Sequence, residues 1–203
     1  MAITYVGSST EQGGSPVTLA IPTGYQAGDL LIIWTLSGSV SISGWTTLNV
    51  SGTNNTVLYK FASASESSVT FSPTASIYSI SQMFAYRGVG SFNVISSANR
   101  TDSTSPITWN SITTTNAGCL VINLGILGNN SSGVGSPSLG TSRSVVNGGS
   151  TVYGLCVSDY IFATSGTTST VTRTITTIGT GSNSISIAFA PDTAPGNFFF
   201  MFN

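Results

Sequence analysis

The chain has 203 residues, long enough to bury a sizeable core, so size alone creates no need for disulfides or a structural metal. Only 5% of its residues are charged, the net charge is −1, and Lys60, Arg87, Arg100, Arg143 and Arg173 are scattered; no basic patch exists to track phosphates, and no direct nucleic-acid partner is expected. Histidine is absent, which removes the commonest general base and the Ser-His-Asp arrangement together, so the expectation is a protein that is not an enzyme and uses no cofactor or metal.

Aromatic and β-branched residues are plentiful, which marks a folded chain rather than a disordered one. The first fourteen residues lack a basic segment followed by an apolar one, and no apolar run approaches the roughly 20 residues of a membrane span. A product made in a cytoplasm, with no membrane partner, is therefore expected.

Strand signals follow in chain order at residues 3–6, 17–21, 29–36, 56–61, 67–71, 77–86, 118–127, 153–162, 170–177 and 184–190, separated by Gly, Ser, Asn and Pro clusters. Ile185, Ile187 and Phe189 alternate with Ser186, Ala188 and Ala190, the period of a strand with one apolar face. In contrast, Leu30 to Trp34 and Leu120 to Leu124 are apolar at nearly every position, as expected of strands covered on both faces or lying at a subunit contact. No stretch carries a capped 3.6-residue period, and residues 62–66 can form one turn at most. These signals predict an all-β fold, an antiparallel sandwich with very little helix.

Two stretches resemble each other: Gln26-Ala27-Gly28-Asp29-Leu30-Leu31-Ile32-Ile33 and Asn116-Ala117-Gly118-Cys119-Leu120-Val121-Ile122-Asn123. Each half also has a threonine-rich strand, at 68–71 and 170–173, followed by an alternating one. The expectation is a single sandwich domain over 1–191 with an internal repeat of about 22–95 and 115–191, followed by an aromatic tail at 192–203.

Few residues are suited to chemistry. Cys119 and Cys156 lie in apolar runs without CxxC spacing and read as small buried hydrophobes. The carboxylates Glu11, Asp29, Glu66, Asp102, Asp159 and Asp192 show no spacing that pairs two of them for glycoside hydrolysis. Asp29 stands at a strand entry, where it can bond nearby backbone donors; Arg87, at the end of a long strand, can clamp turn carbonyls or reach Asp29. All three tryptophans read first as core or interface aromatics, Trp34 in particular continuing a buried run; Trp45 after a Gly turn, and Trp109, are also candidates for a surface or glycan contact, together with Asn/Ser/Gly loops around 128–150.

The succession Gln26-Ala27-Gly28-Asp29-Leu30-Leu31, Gly44-Trp45, Leu58-Tyr59-Lys60-Phe61-Ala62 with Glu66, and Phe84-Ala85-Tyr86-Arg87-Gly88-Val89 resembles a recurring pattern in small virion proteins of tailed bacteriophages. It covers about residues 22–95, with an echo from 115 to 191 in which Cys119 replaces the aspartate and Ala190-Pro191 replaces the Tyr-Arg-Gly-Val. The resemblance implies a jelly-roll-like β-sandwich with a structural place on the particle surface. One such place is the head, as a decoration or cement protein against the major capsid protein; the other is the tail, as an accessory protein binding a receptor or host-surface glycan. It implies no catalytic residues. The short chain without a repetitive stem favours the head, and local three-fold positions in capsid lattices favour a homotrimer.

The tail Phe198-Phe199-Phe200-Met201-Phe202 follows Pro191, Pro195 and Gly196, which stop and bend the preceding strand. Five large apolar side chains left in water would form a patch that needs cover, so these residues are the expected assembly contact.

Overall fold

The computed structural model describes residues 1–10, 12–36, 38–49, 55–73, 79–101, 105–149 and 153–193. The aromatic tail with Phe198, Phe199, Phe200, Met201 and Phe202 lies outside the described residues, as does Asp102. The first half of the chain contributes β1 (Thr4–Ser8), β2 (Gln12–Gly13), β3 (Val17–Leu19), β4 (Leu30–Leu36), β5 (Thr46–Asn49), β6 (Asn55–Phe61), β7 (Val69–Phe71) and β8 (Ile80–Arg87). The second contributes β9 (Val89–Ile95), β10 (Asn99–Thr101), β11 (Ile107–Trp109), β12 (Thr113–Thr114), β13 (Cys119–Leu127), β14 (Ser132–Pro137), β15 (Thr141–Val146), β16 (Gly154–Phe162), β17 (Gly166–Thr167), β18 (Val171–Thr177) and β19 (Ser182–Pro191). The described residues contain no helix, and every pairing is antiparallel. The protein is an all-β sandwich.

Two six-stranded sheets form its middle. One runs β1, β8, β4, β6, β5 with β2 also on β8; the other runs β10, β19, β13, β16, β15 with β9 also on β19. Alternation puts Leu30, Ile32 and Trp34 of β4, with Phe84 and Tyr86 of β8, against Leu120, Ile122 and Leu124 of β13, with Ile187 and Phe189 of β19, in one core between the sheets. Each fully buried Leu or Ile there contributes about 1.5–3 kcal/mol relative to exposure. The alternate residues of the same strands face outward and are also covered. The β3/β7 pair closes over Leu31, Ile33, Leu58 and Met83, while β11 and β18 close over Leu127 and Cys156. This four-layer build explains why β4 and β13 are buried at every position, for each has an apolar layer on both sides.

The two halves share one plan. The order β1, β8, β4, β6, β5 of the first recurs as β9, β19, β13, β16, β15 in the second, and β3 with β7 recurs as β11 with β18. In sequence the correspondence holds at a constant separation from Ser15-Pro16-Val17-Thr18-Leu19 against Ser105-Pro106-Ile107-Thr108-Trp109 through Gly28 against Gly118 to Ile33 against Asn123. Both Ser-Pro peptides are cis. The halves meet at Gly88, so each includes its own edge strand and extends beyond the segments that the sequence suggests.

Gly88 is the single residue between β8 and β9. It has φ +78°, and a Cβ there would stand 2.6 Å from the Ala2 carbonyl oxygen. Its own carbonyl accepts a hydrogen bond from the Asp192 amide at 2.8 Å. Gly88→Ala is expected to cost at least about 1–3 kcal/mol from the left-handed backbone alone, read as a lower urea midpoint; an unchanged midpoint would refute the tight connection.

All ten segments read as strands from the sequence carry one. The span 128–150, read there as loops, instead contains β14 and β15. These strands have little apolar signal because β14 extends the outer layer beside β18 and β15 is an edge strand, positions where backbone pairing suffices.

Candidate functional site

The charged residues of the resembling pattern are spent on local structure. Asp29, 2% exposed, accepts Arg87 Nε on Oδ1 at 3.0 Å and Arg87 Nη2 on Oδ2 at 2.9 Å, and it also accepts the Gln26 amide at 2.8 Å. The same guanidinium donates to the Gly24 carbonyl at 3.0 Å. Asp29 thereby holds the Arg87 pKa above its usual value. Gly28 supplies the left-handed residue of this turn, φ +88°. Lys60 pairs with Glu66 at 2.8 Å and lies 5.9 Å over the Trp45 ring, while Glu66 caps the Ser63 amide. In the second half Cys119 and Ala190 occupy the places of Asp29 and Arg87, so both members of the pair are exchanged together.

Trp45 is half-buried against the β3/β7 layer. Trp109 is a correction to the sequence reading: it is 0% exposed and packs between β11 and the outer face of β13, with Nε1 donating to the Leu124 carbonyl at 3.0 Å. A tryptophan in β11, a strand too short to show a period, gave no sign of which side it takes.

A different constellation emerges where the halves depart from their shared plan. Between the sheets, Tyr59 of the first half packs on Phe92 and Phe189, with ring centroids 6.0 and 5.3 Å apart. Register places Asp159, Tyr5 and Tyr86 at the corresponding positions in the opposite end of the sandwich. An all-aromatic cluster is thus matched by two tyrosines and a carboxylate. A bulge between Ser142 and Ser144 in β15 adds Arg143, which has no counterpart in the regular pairing of β5 with β6; bulges redirect side chains in this way. Arg143 Nε donates to Asp159 Oδ2 at 2.7 Å, and its guanidinium lies 4.4 Å over the Tyr5 ring. Tyr5 meets Tyr86 edge to face at 5.4 Å.

These residues, with Leu120, Thr141, Tyr160 and Ile161, line an open cavity of about 300 Å3. Burial opposes the Arg143 charge, but Asp159 more than offsets it and holds the guanidinium's pKa above its usual value. The Tyr86 hydroxyl lies buried beside Asp159. Burial, and after it the neighbouring Asp159 charge, push the Tyr86 phenol well above its usual range. The arrangement offers an aromatic face and a fixed ion pair, suited to a polar ligand with a flat apolar side. It offers no nucleophile with an adjacent base, and among the described residues no group of three His, Cys, Asp or Glu side chains could hold a metal.

The sequence reading passed over this site. Arg143 and Asp159 were two isolated charges in it, and the signal that finds them is the aligned repeat, in which Asp159 stands opposite Tyr59.

Both cysteines are free and buried. Burial pushes the Cys156 thiol up to about 11, with the Arg173 charge pulling the other way. A thiol pKa higher in the folded than in the unfolded chain stabilises the fold fully below the unfolded value and progressively less as pH rises toward the folded one. Wild-type protein is therefore expected to lose up to about 3 kcal/mol between pH 8 and 11 through this group, and Cys156→Ala should flatten that part of the profile. Parallel urea midpoints in the two proteins would rule out a desolvated thiol.

Comparisons of the chain with family models, with curated proteins and with solved structures find no match.

Proposed function

We propose that this chain is a structural protein of a tailed-phage particle, a capsid decoration protein that binds the major capsid protein from outside and stabilises the shell. The observation that carries this reading is the fate of the charges. Lys60, Arg87 and Arg143 each pair with a carboxylate and Arg173 is buried, so among the described side chains no lysine or arginine stands unpaired at the surface. Such a surface associates through packing and neutral hydrogen bonds with little salt dependence. The resembling pattern of residues 22–95 supports the same place, since its charged members serve the fold.

In this reading the chain is a homotrimer, and the Phe198 to Phe202 tail is its anchor in a neighbouring subunit or in the capsid floor. Deleting residues 197–203 is expected to leave a folded protein that no longer trimerises or no longer binds particles; a deleted protein that still does both removes the tail from the account. The role itself is tested by comparing heads with and without the protein under heat and low salt. Equal resistance would end the cement reading.

The Arg143–Asp159 cavity favours a second reading, a glycan-binding adhesion protein of the tail, because a tyrosine face beside a fixed ion pair matches a sugar ring with its hydroxyls. Saturable binding on a glycan array, lost in Tyr5→Leu, would establish it, and a silent array would dismiss it.

A further inference from the structure

The outer face of the second sheet carries a polar row with no precedent in the first half. Ser186 of β19, Asn123 of β13, Ser158 of β16 and Ser142 of β15 stand side by side in register across four adjacent strands. The corresponding row of the first sheet is Met83, Ile33, Leu58 and Thr47. The covering strand changes in step: Phe71 of β7 lies over the apolar row, and its counterpart in β18 is Arg173, which pairs with Ile107 as Phe71 pairs with Val17. Four apolar side chains have been exchanged for three hydrogen-bonding groups and a cation at one place.

That place is short of acceptors. Arg173 is 1% exposed; its Nη2 donates to Ser142 Oγ at 2.7 Å, whereas Nε and Nη1 have no partner among the described residues. Asn123 Nδ2 and Ser158 Oγ, on fully buried residues, are also unpartnered. Asn123 Oδ1 is taken by Ser186 Oγ at 3.0 Å, which leaves the amide's donor side free. No described carboxylate pairs with Arg173, and the nearby Cys156 thiol stays protonated near neutral pH. A buried cation with its donors unmet is costly, and every unmet group here can donate. The row ends at Ser142, an exposed residue of the edge strand, which gives a small ion a way in.

We propose that this layer holds one chloride ion, bound by Arg173 through Nε and Nη1 and by Asn123 Nδ2 and Ser158 Oγ, as the counter-ion that lets a guanidinium replace Phe71's equivalent. The ion is small because the covering residues Val171, Arg173 and Ile175 are all closed to solvent.

The test is the unfolding of the whole protein at constant ionic strength, with chloride replaced by gluconate. Binding to the folded state alone predicts about a tenfold rise in the folded-to-unfolded ratio for each tenfold rise in chloride above its dissociation constant. The triple variant Asn123→Ile, Ser158→Leu, Arg173→Phe, which copies the first half, should lose that dependence. Crystals of the wild type soaked in bromide supply a readout that requires no variant, an anomalous peak beside Arg173. Stability indifferent to chloride, a triple variant that keeps the dependence, or bromide-soaked crystals showing water at that position would each overturn the proposal.

Discussion

Trp109→Ala is expected to lower the unfolding free energy by about 3–5 kcal/mol, the cost of emptying a fully buried tryptophan site. The side chain lies over Gly125, where a Cβ would come within 3.0 Å of its Cζ2 and 2.8 Å of Cys156 Sγ. The first half solves the same packing with opposite sizes, for Leu19 stands where Trp109 does and Thr35, bonded to Ser81 at 2.6 Å, stands where Gly125 does. Trp109→Leu and Gly125→Thr should therefore each destabilise, by a cavity and by overpacking respectively. The double variant should cost clearly less than the two summed, as residues sharing one space require. Urea unfolding of the four proteins measures this; strictly additive costs would show that the two positions do not share volume.

The second large effect is expected at Arg143. Arg143→Met strands Asp159, which is 4% exposed at its side chain, among Tyr5, Tyr86 and apolar neighbours. Breaking a buried pair by removing one member leaves an uncompensated charge. The expected loss is about 2 kcal/mol, toward the low end for such pairs because 26% of the Arg143 side chain reaches solvent. Asp159→Asn in the same background should restore much of it by removing the stranded charge. A double variant no more stable than Arg143→Met would place the cost in lost packing over Tyr5 instead.

Both predictions rest on one feature of the molecule. Where the halves keep the same residue types, they build the sandwich; where they differ, the differences come in sets that touch one another. Asp29 with Arg87 becomes Cys119 with Ala190, Leu19 with Thr35 becomes Trp109 with Gly125, and the aromatic cluster around Tyr59 becomes the ion-paired cavity around Asp159. Close packing permits such changes only together.

The sequence by itself determined the class of fold and much of its plan. Alternation in β19, continuous apolar runs in β4 and β13, and turn residues between them report directly on which faces are buried, since the period of a strand is written in consecutive residues. It also determined the turn in which Asp29 accepts the Gln26 amide, a contact three residues apart, and the poverty of charge. Only the tertiary structure decided that Trp109 is core, that residues 128–150 pair as strands, and that Arg143, Asp159, Tyr5 and Tyr86 meet. Those outcomes depend on cross-strand register and on a one-residue bulge, and they join positions as far apart as β1 and β16. No local pattern encodes them, because each contact is set by how two sheets face each other rather than by neighbours along the chain.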